Sequence, residues 1–395
     1  MKRLFLIGSL VLFLCGALWA GDIAFHGSAK NSIYSYERDE THTRAYQLVN
    51  LNMAALDNHL TLNTSLRALT DFNESMDSDD RFRMYSLRLG WKGLGNDRLN
   101  LVIGRQFLHP GTVLGSLDGL NGQFRISPKI SVQFYSGVEG HFSKSFKLYK
   151  TEDSIVNGGL IQFKKMYQST FQLLYLNKSN DSGTFWHLTG LNFDTYLVPR
   201  SLIKVQAHYN IEQEKFHRVK YYMRNTWGKS FKTILGYKMQ QPQIYANSYF
   251  TIFEVDPYQQ YRFGASCDIF SDYSVQGQVQ YLTIDKDSAT RYLLTLQNFN
   301  GSIGMIYEDG YAGSQLGVMF DYAHEVLKNL TASLYIDYLK YRTEEVYEYD
   351  NQLGNAVRLL YRYNRHLSVT VEYQWLNNRF KDSDSRFLNH ISYRW

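Results

Sequence analysis

Lysine and arginine recur at every second position along several alternating segments. Arg218, Lys220 and Arg224 stand opposite Val219, Tyr221 and Met223, and Lys232 and Lys238 repeat the arrangement on the following segment. The same face collects Arg67, Arg88, Arg125, Lys164, Lys204 and Arg262, with Arg358 and Arg362 nearer the C-terminus. Fixed cations ranged along a confined water column concentrate the field and attract anions, so the chemistry on offer is electrostatic selection. Carboxylates on that face are fewer, Asp268, Asp321, Asp337 and Glu372 being the clearest. The others fall mainly in connections: Asp39-Glu40, Asp77 to Asp80, Glu152-Asp153, Glu344-Glu345, Asp382 and Asp384. A blander reading is that these cations are hydrated and offset by the acidic loops.

Catalytic constellations are missing from the sequence. There is no Gly-x-Ser-x-Gly, no Gly-x-Gly-x-x-Gly and no phosphate loop, and His324-Glu325 lacks the second histidine of a zinc-protease helix. The eleven histidines are scattered, which suits hydrogen bonding better than a metal centre. We expect no enzyme activity, no cofactor, no metal and no nucleic-acid partner.

The elements that carry these side chains read as strands. Leu60, Leu62, Leu66 and Ala68 face one way while Thr61, Asn63, Ser65 and Arg67 face the other, a period only a strand produces. The first strand is expected over 22–36 and the second over 43–55. Tight turns are expected at Asp57-Asn58, Gly95-Asn96-Asp97, Ser127-Pro128-Lys129, Gly228-Lys229, Phe270 to Tyr273 and Asn364-Arg365. One long run near 290–310 is split at Asn300-Gly301, a hairpin signal. The count comes to 22 strands, within a range of 18–22. So many uninterrupted hairpins are too many for a β-sandwich. Sixty-two aromatics against five prolines, with a mean hydropathy of −0.37, suit strands that are apolar on one face only. The expectation is a transmembrane antiparallel up-and-down β-barrel.

Both ends fit that expectation. Lys2 and Arg3 precede an apolar run from Leu4 to Trp19, and Ala20 offers a cleavage residue, so 1–20 reads as a secretory signal peptide and 21–395 as the barrel. Removing the leader lowers the formal charge from +5 to +3 and leaves Cys267 as the one cysteine. Cys267 alternates with Phe263, Ala265 and Ile269, which places it toward lipid near mid-strand. At the other end Phe387, Ile391, Tyr393 and Trp395 share one face, with Leu388, His390, Ser392 and Arg394 on the other. This ending resembles the C-terminal assembly signal of Gram-negative outer-membrane β-barrels. The resemblance implies Ile391, Tyr393 and Trp395 as contacts for the barrel assembly machinery.

A second resemblance lies in Ile103-Gly104-Arg105-Gln106, followed by Pro110-Gly111 and Asp118-Gly119. That run is similar to outer-membrane porins of the alginate-export kind. It implies a passive channel and marks Gly104, Arg105, Gln106, Asp118 and Gly119 as family positions. Alternation puts Arg105 outward with Leu101 and Ile103. It either snorkels there or is turned into the lumen by a bulge at Gly104. Two connections carry much apolar surface, His141 to Val156 and Gln241 to Tyr258, and are expected to fold into the pore.

The sequence thus points to an outer-membrane porin passing small hydrophilic, anionic solutes. Its implied partners are membrane lipid and lipopolysaccharide, and its oligomeric state stays open between monomer and homotrimer. The alternative is a structural or adhesive barrel with a closed lumen. An energy-coupled importer is disfavoured, because strands begin within a few residues of the cleavage site.

Overall fold

A computed structural model of the chain describes residues 23–37, 41–109, 111, 115–141, 146–198, 200–244, 256–270, 272–311, 313–343, 347–379 and 381–395. The leader expected at 1–20 lies outside these residues. The wall opens with β1 (Ala24–Glu37), β2 (Thr41–Ala55), β3 (Leu60–Asp71), β4 (Phe82–Gly93), β5 (Leu99–Leu108) and β6 (Gly115–Ser127). It continues with β7 (Ile130–Glu139), β8 (Ile155–Met166), β9 (Ser169–Asn180), β10 (Gly183–Val198), β11 (Ser201–Asn210) and β12 (Lys215–Trp227). Next come β13 (Phe231–Gln240), β14 (Tyr258–Asp268), β15 (Ser274–Ile284), β16 (Asp287–Gln297) and β17 (Gly301–Gly310). The last are β18 (Gly313–Leu327), β19 (Leu330–Arg342), β20 (Asp350–Arg362), β21 (Leu367–Asn378) and β22 (Lys381–Arg394).

Each strand pairs antiparallel with its sequence neighbours, and β22 returns to β1, so the 22-stranded sheet closes into a transmembrane barrel. The break at Asn300-Gly301 falls where the sequence put it. The Asn298 carboxamide oxygen accepts from the backbone N–H groups of Asn300 and Gly301, both at 2.9 Å, and fixes the turn. The first two strands begin at Ala24 and Thr41, within two residues of expectation.

An even strand number brings both ends of the wall to one rim. Connections at that rim run two to five residues, whereas the opposite rim holds the long ones, including 140–154 and 241–257. The outer face is apolar and exposed: Leu87, Leu89, Phe263, Tyr292, Leu294, Met305, Val357, Tyr373 and Ile391 are typical. Each such side chain gains roughly 1–2 kcal/mol when hydrocarbon replaces water. No described helix is long and apolar enough to cross a membrane; the crossing is made by strands.

The seam between first and last strands is specific. β1 and β22 pair from Ser28↔Arg394 to Tyr36↔Arg386. Beyond the ladder, Gly27 and Trp395 exchange backbone hydrogen bonds of 3.3 and 3.2 Å. The Trp395 ring stacks on Phe25 and Tyr393 at 6.0 and 5.8 Å and lies over Gly27, where any Cβ would strike it. A close approach of this kind requires glycine.

Cys267 pairs with Phe231 and Val275 on the outward row and is exposed. It is the penultimate residue of β14, next to the 269–273 turn, so the mid-strand position is corrected to one near the short-turn rim. A membrane-impermeant maleimide is expected to label Cys267 several-fold more slowly in reconstituted barrels than after denaturation. Equal rates would mean that this row faces water.

Candidate pore lining

The ladders assign each basic residue to a face. On β11–β12 the register shifts at His208/Tyr209, so His217 and Arg218 both turn inward and the alternation resumes with Lys220 inside and Tyr221 outside. Lys220 then stands between Gln206 and Lys238, and Arg224 stands between Leu202 and Ile234. Lys232 pairs with Thr226 and Ser266, while Arg262 lies between Gly236 and Gln280. Four positive charges, those of Lys238, Arg218, Lys204 and Arg262, act on Lys220. Lys238 also contacts the Tyr258 hydroxyl and sits 4.8 Å from that ring's centroid. Arg218 donates to the Gln240 carboxamide oxygen at 3.1 Å. Among the described residues, no carboxylate reaches ion-pair distance of Arg218, Lys220, Arg224, Lys238 or Arg262.

The other basic positions are less uniform. Lys204 meets Asp194 at 3.5 Å, Lys232 meets Asp268 at 3.9 Å, and Arg358 meets Glu372 at 2.5 Å. Arg67 faces Arg83 directly across the β3–β4 ladder and lies 6.0 Å from the Tyr46 ring. Arg88 lines a polar recess of about 430 Å³ with His26, Asn63, Ser86 and Arg394. Arg125, Lys164 and Arg362 occupy the interior row close to the short-turn rim.

The interior holds more carboxylates than the sequence reading counted. Asp71, Asp194, Glu308 and Asp384 join Asp268, Asp321, Asp337 and Glu372 there, and Asp71 pairs with Arg44, Glu308 with Arg291, and Asp384 with Arg386. On β12–β14, Arg218, Lys220, Arg224, Lys238 and Arg262 have no acidic partner among the described residues, whereas Lys232 beside them pairs with Asp268. Asp194 was legible by alternation from Leu191 and Phe193. Its pairing with Lys204 was not, because pairing depends on register.

Arg105 has a different fate from either sequence alternative. Neither ladder shifts register at Gly104, so no bulge turns it inward, and it keeps the side shared by Ile103 and Phe107. It does not snorkel either. The side chain is 4% exposed and makes two bonds to Asp118, of 2.6 and 2.5 Å, plus one of 3.2 Å to the Lys147 carbonyl. An apolar wall cannot hold a lone guanidinium, and the bidentate carboxylate neutralises it in place. Gln106 is buried on the inner side and donates to the Gly119 carbonyl at 3.2 Å. Gly104, Gly119 and Gly137 form one row across β5–β7, and a Cβ at Gly119 would lie 2.7 Å from the Gly137 Cα. The motif is thus a structural corner with an internal ion pair.

Gly111 of the β5–β6 connection touches the inner wall, a contact the sequence reading did not single out. Asn192 donates its carboxamide N–H groups to the Gly111 carbonyl at 3.0 Å and to Gln172 Oε1 at 3.1 Å. The Asn192 Oδ1 lies 2.9 Å from Nε2 of the fully buried His208. Above this network Leu108, Leu117, Tyr135, Val156, Leu176 and Leu188 form a buried cluster on the inner side of β5–β10. The inner side of β5–β10 is therefore filled by packed apolar side chains, and Pro110-Gly111 was the available signal in the sequence. Of the two loops expected inside, the β7–β8 connection leaves Phe146 and Leu148 exposed, with Tyr149 stacked on His141 at 4.6 Å. Its described residues pack on one another and on Arg105. Residues 245–255 of the other loop lie outside the described residues.

His42, Asp71 and Glu74 bring ligand-type atoms within 4.8 Å of one another. Asp71 already accepts from Arg44 at 2.8 Å and from the Asn73 N–H at 3.0 Å, so an internal cation satisfies the carboxylate.

No protein-family model matches the chain, and no curated protein matches it either. Among solved structures it is similar to the translocation pore of the P pilus usher PapC, with 8% identity over 94% of this chain and 99% of that chain, at a TM-score of 0.55. It is also similar to OpdQ of Pseudomonas aeruginosa, with 10% identity over 95% and 99% of the two chains, at a TM-score of 0.48. A BenF-like porin from Pseudomonas fluorescens Pf-5 has 10% identity over 95% and 98%, at 0.43. At such identities the likeness is one of fold, and the usher pore agrees with a closed barrel wall.

Proposed function

We propose that the chain is an outer-membrane porin, a passive channel for small hydrophilic and preferentially anionic solutes. The observation that carries this reading is the group Arg218, Lys220, Arg224, Lys238 and Arg262 on the inner face of a closed wall, with no carboxylate at ion-pair distance among the described residues. Cations turned to lipid cost about 2–4 kcal/mol each at mid-depth, so a water-filled interior is where they are stable. An anion entering that interior relieves their mutual repulsion and needs no cofactor to do so. The alginate-export resemblance of 103–119 supports an anionic solute class. The leader at 1–20 and the Ile391, Tyr393, Trp395 ending support export and insertion by the assembly machinery, and a homotrimer is compatible with the apolar outer face.

The buried apolar cluster on the inner side of β5–β10 and the Gly111–Asn192 contact favour the second reading, a structural barrel with a closed lumen. Conductance separates them. Purified protein in a planar bilayer is expected to give stable current steps. Replacing residues 109–114 by a two-glycine turn is expected to enlarge each step, because the segment held by Asn192 is then gone. Silent bilayers for both proteins, with folded barrel verified on gels, would reject the channel.

A further inference from the structure

The outer wall near the long-loop rim is almost free of charge. Among the described side chains in that half of the wall, the outward face carries three cations: Arg105, closed by Asp118, and Lys340 and Arg342. Lys340 pairs with Leu316 and Arg342 with Ser314, and the exposed Leu316 fixes that row as outward. Both cations gather at one ring: Lys340 Nζ lies 5.2 Å and Arg342 Cζ 4.9 Å from the Tyr349 centroid. Arg342 spends its Nε on Ser314 Oγ at 2.9 Å, and Ser314 Oγ lies 2.8 Å from the Tyr349 hydroxyl. Among the described residues neither cation forms an ion pair, and Asp309, in the same row as Arg342 and Ser314, forms none with them.

Two adjacent cations on a lipid-facing wall repel each other and lose hydration, so an anion placed between them is stabilised. We propose that Lys340, Arg342, Ser314 and Tyr349 form a binding site for a phosphate of lipopolysaccharide in the outer leaflet. The assignment rests on the outer-membrane reading above, which turns the long-loop rim outward. Guanidinium and ammonium supply the charge-assisted donors that phosphate oxygens accept. Tyr349 holds the two cations together by cation–π contact. Leu316 and Tyr338 continue the outward row below the cations, where acyl chains would lie.

The test uses the full-length barrel refolded in detergent. Bisphosphorylated lipid A is titrated and bound lipid is counted by native mass spectrometry, for wild type and for the Lys340→Gln/Arg342→Gln double variant. Each basic residue at a membrane surface contributes roughly fivefold, so the variant should bind on the order of 30-fold more weakly. Dephosphorylated lipid A should bind both proteins equally weakly. Equal affinity of wild type and variant, or equal binding of the dephosphorylated lipid to wild type, would overturn the site. Phosphatidylglycerol or inorganic phosphate competing as well as lipid A would overturn its assignment to lipopolysaccharide. Unboiled samples of both proteins are run on gels alongside. Loss of the folded band there would count against the barrel reading and not against this site.

Discussion

A chain lacking residues 381–395 is expected to remain unfolded and to accumulate in the soluble periplasmic fraction. β22 serves two ladders at once, with β21 from Leu367↔Tyr393 upward and with β1 from Ser28↔Arg394 to Tyr36↔Arg386. Deleting it opens two edges across the full height of the wall. Each backbone group left unpaired in hydrocarbon costs several kcal/mol, and a protein's whole stability is about 5–15 kcal/mol. The loss therefore exceeds what the other twenty-one strands can offset. Trp395→Ala is a milder case, because it keeps every ladder bond and removes only the ring stacked on Phe25 and seated over Gly27. It should lower the yield of folded barrel without abolishing it. Gel migration before and after boiling, with fractionation, checks both. A truncated protein that still migrates faster unboiled and sediments with membranes would show that β22 is dispensable.

The architecture was written in the side-chain period of two, which requires only local reading. Tyr85, Leu87 and Leu89 announce an outward face, and turn residues such as Asn298 and Asn300 mark where the chain reverses. What was not legible depends on register between strands. The shift at His208/Tyr209 turns two consecutive residues inward, and the shift at Thr184/Trp186 displaces the far half of β10. Lys204 stands opposite Asp194 across the β10–β11 ladder, while Lys220, two strands from Asp194, stands opposite Lys238 instead. Arg105 is the instructive case. Its side of the wall was readable, yet the Asp118 that neutralises it came into view only with the β5–β6 pairing. Lys340 and Arg342 were readable in principle, since they continue the period of Leu334, Ile336 and Tyr338. Attention to inward charge passed over them.

Changing Arg218, Lys220 and Arg224 together to Glu is expected to weaken or invert the ion preference of the pore. The three side chains share one strand, and the Lys220↔Lys238 pairing extends the positive charge onto β13. Two like charges ~4 Å apart repel by about 1 kcal/mol in bulk water and about 4 kcal/mol at an effective dielectric of 20. The narrower the water column beside this wall, the more a passing anion gains by relieving that repulsion. The substitutions exchange three positive charges for three negative ones where no native carboxylate stands in range, so the local sign reverses. The same exchange at Lys204, Lys232 and Arg358 would act on cations already matched by Asp194, Asp268 and Glu372. Reversal potentials in a KCl gradient supply the measurement. Wild type should give the sign of an anion-preferring pore, and the triple variant should move toward zero or past it. A cation-preferring wild type would reject the electrostatic assignment whatever the variant does. An unchanged potential in the variant would mean that ions pass along another part of the wall.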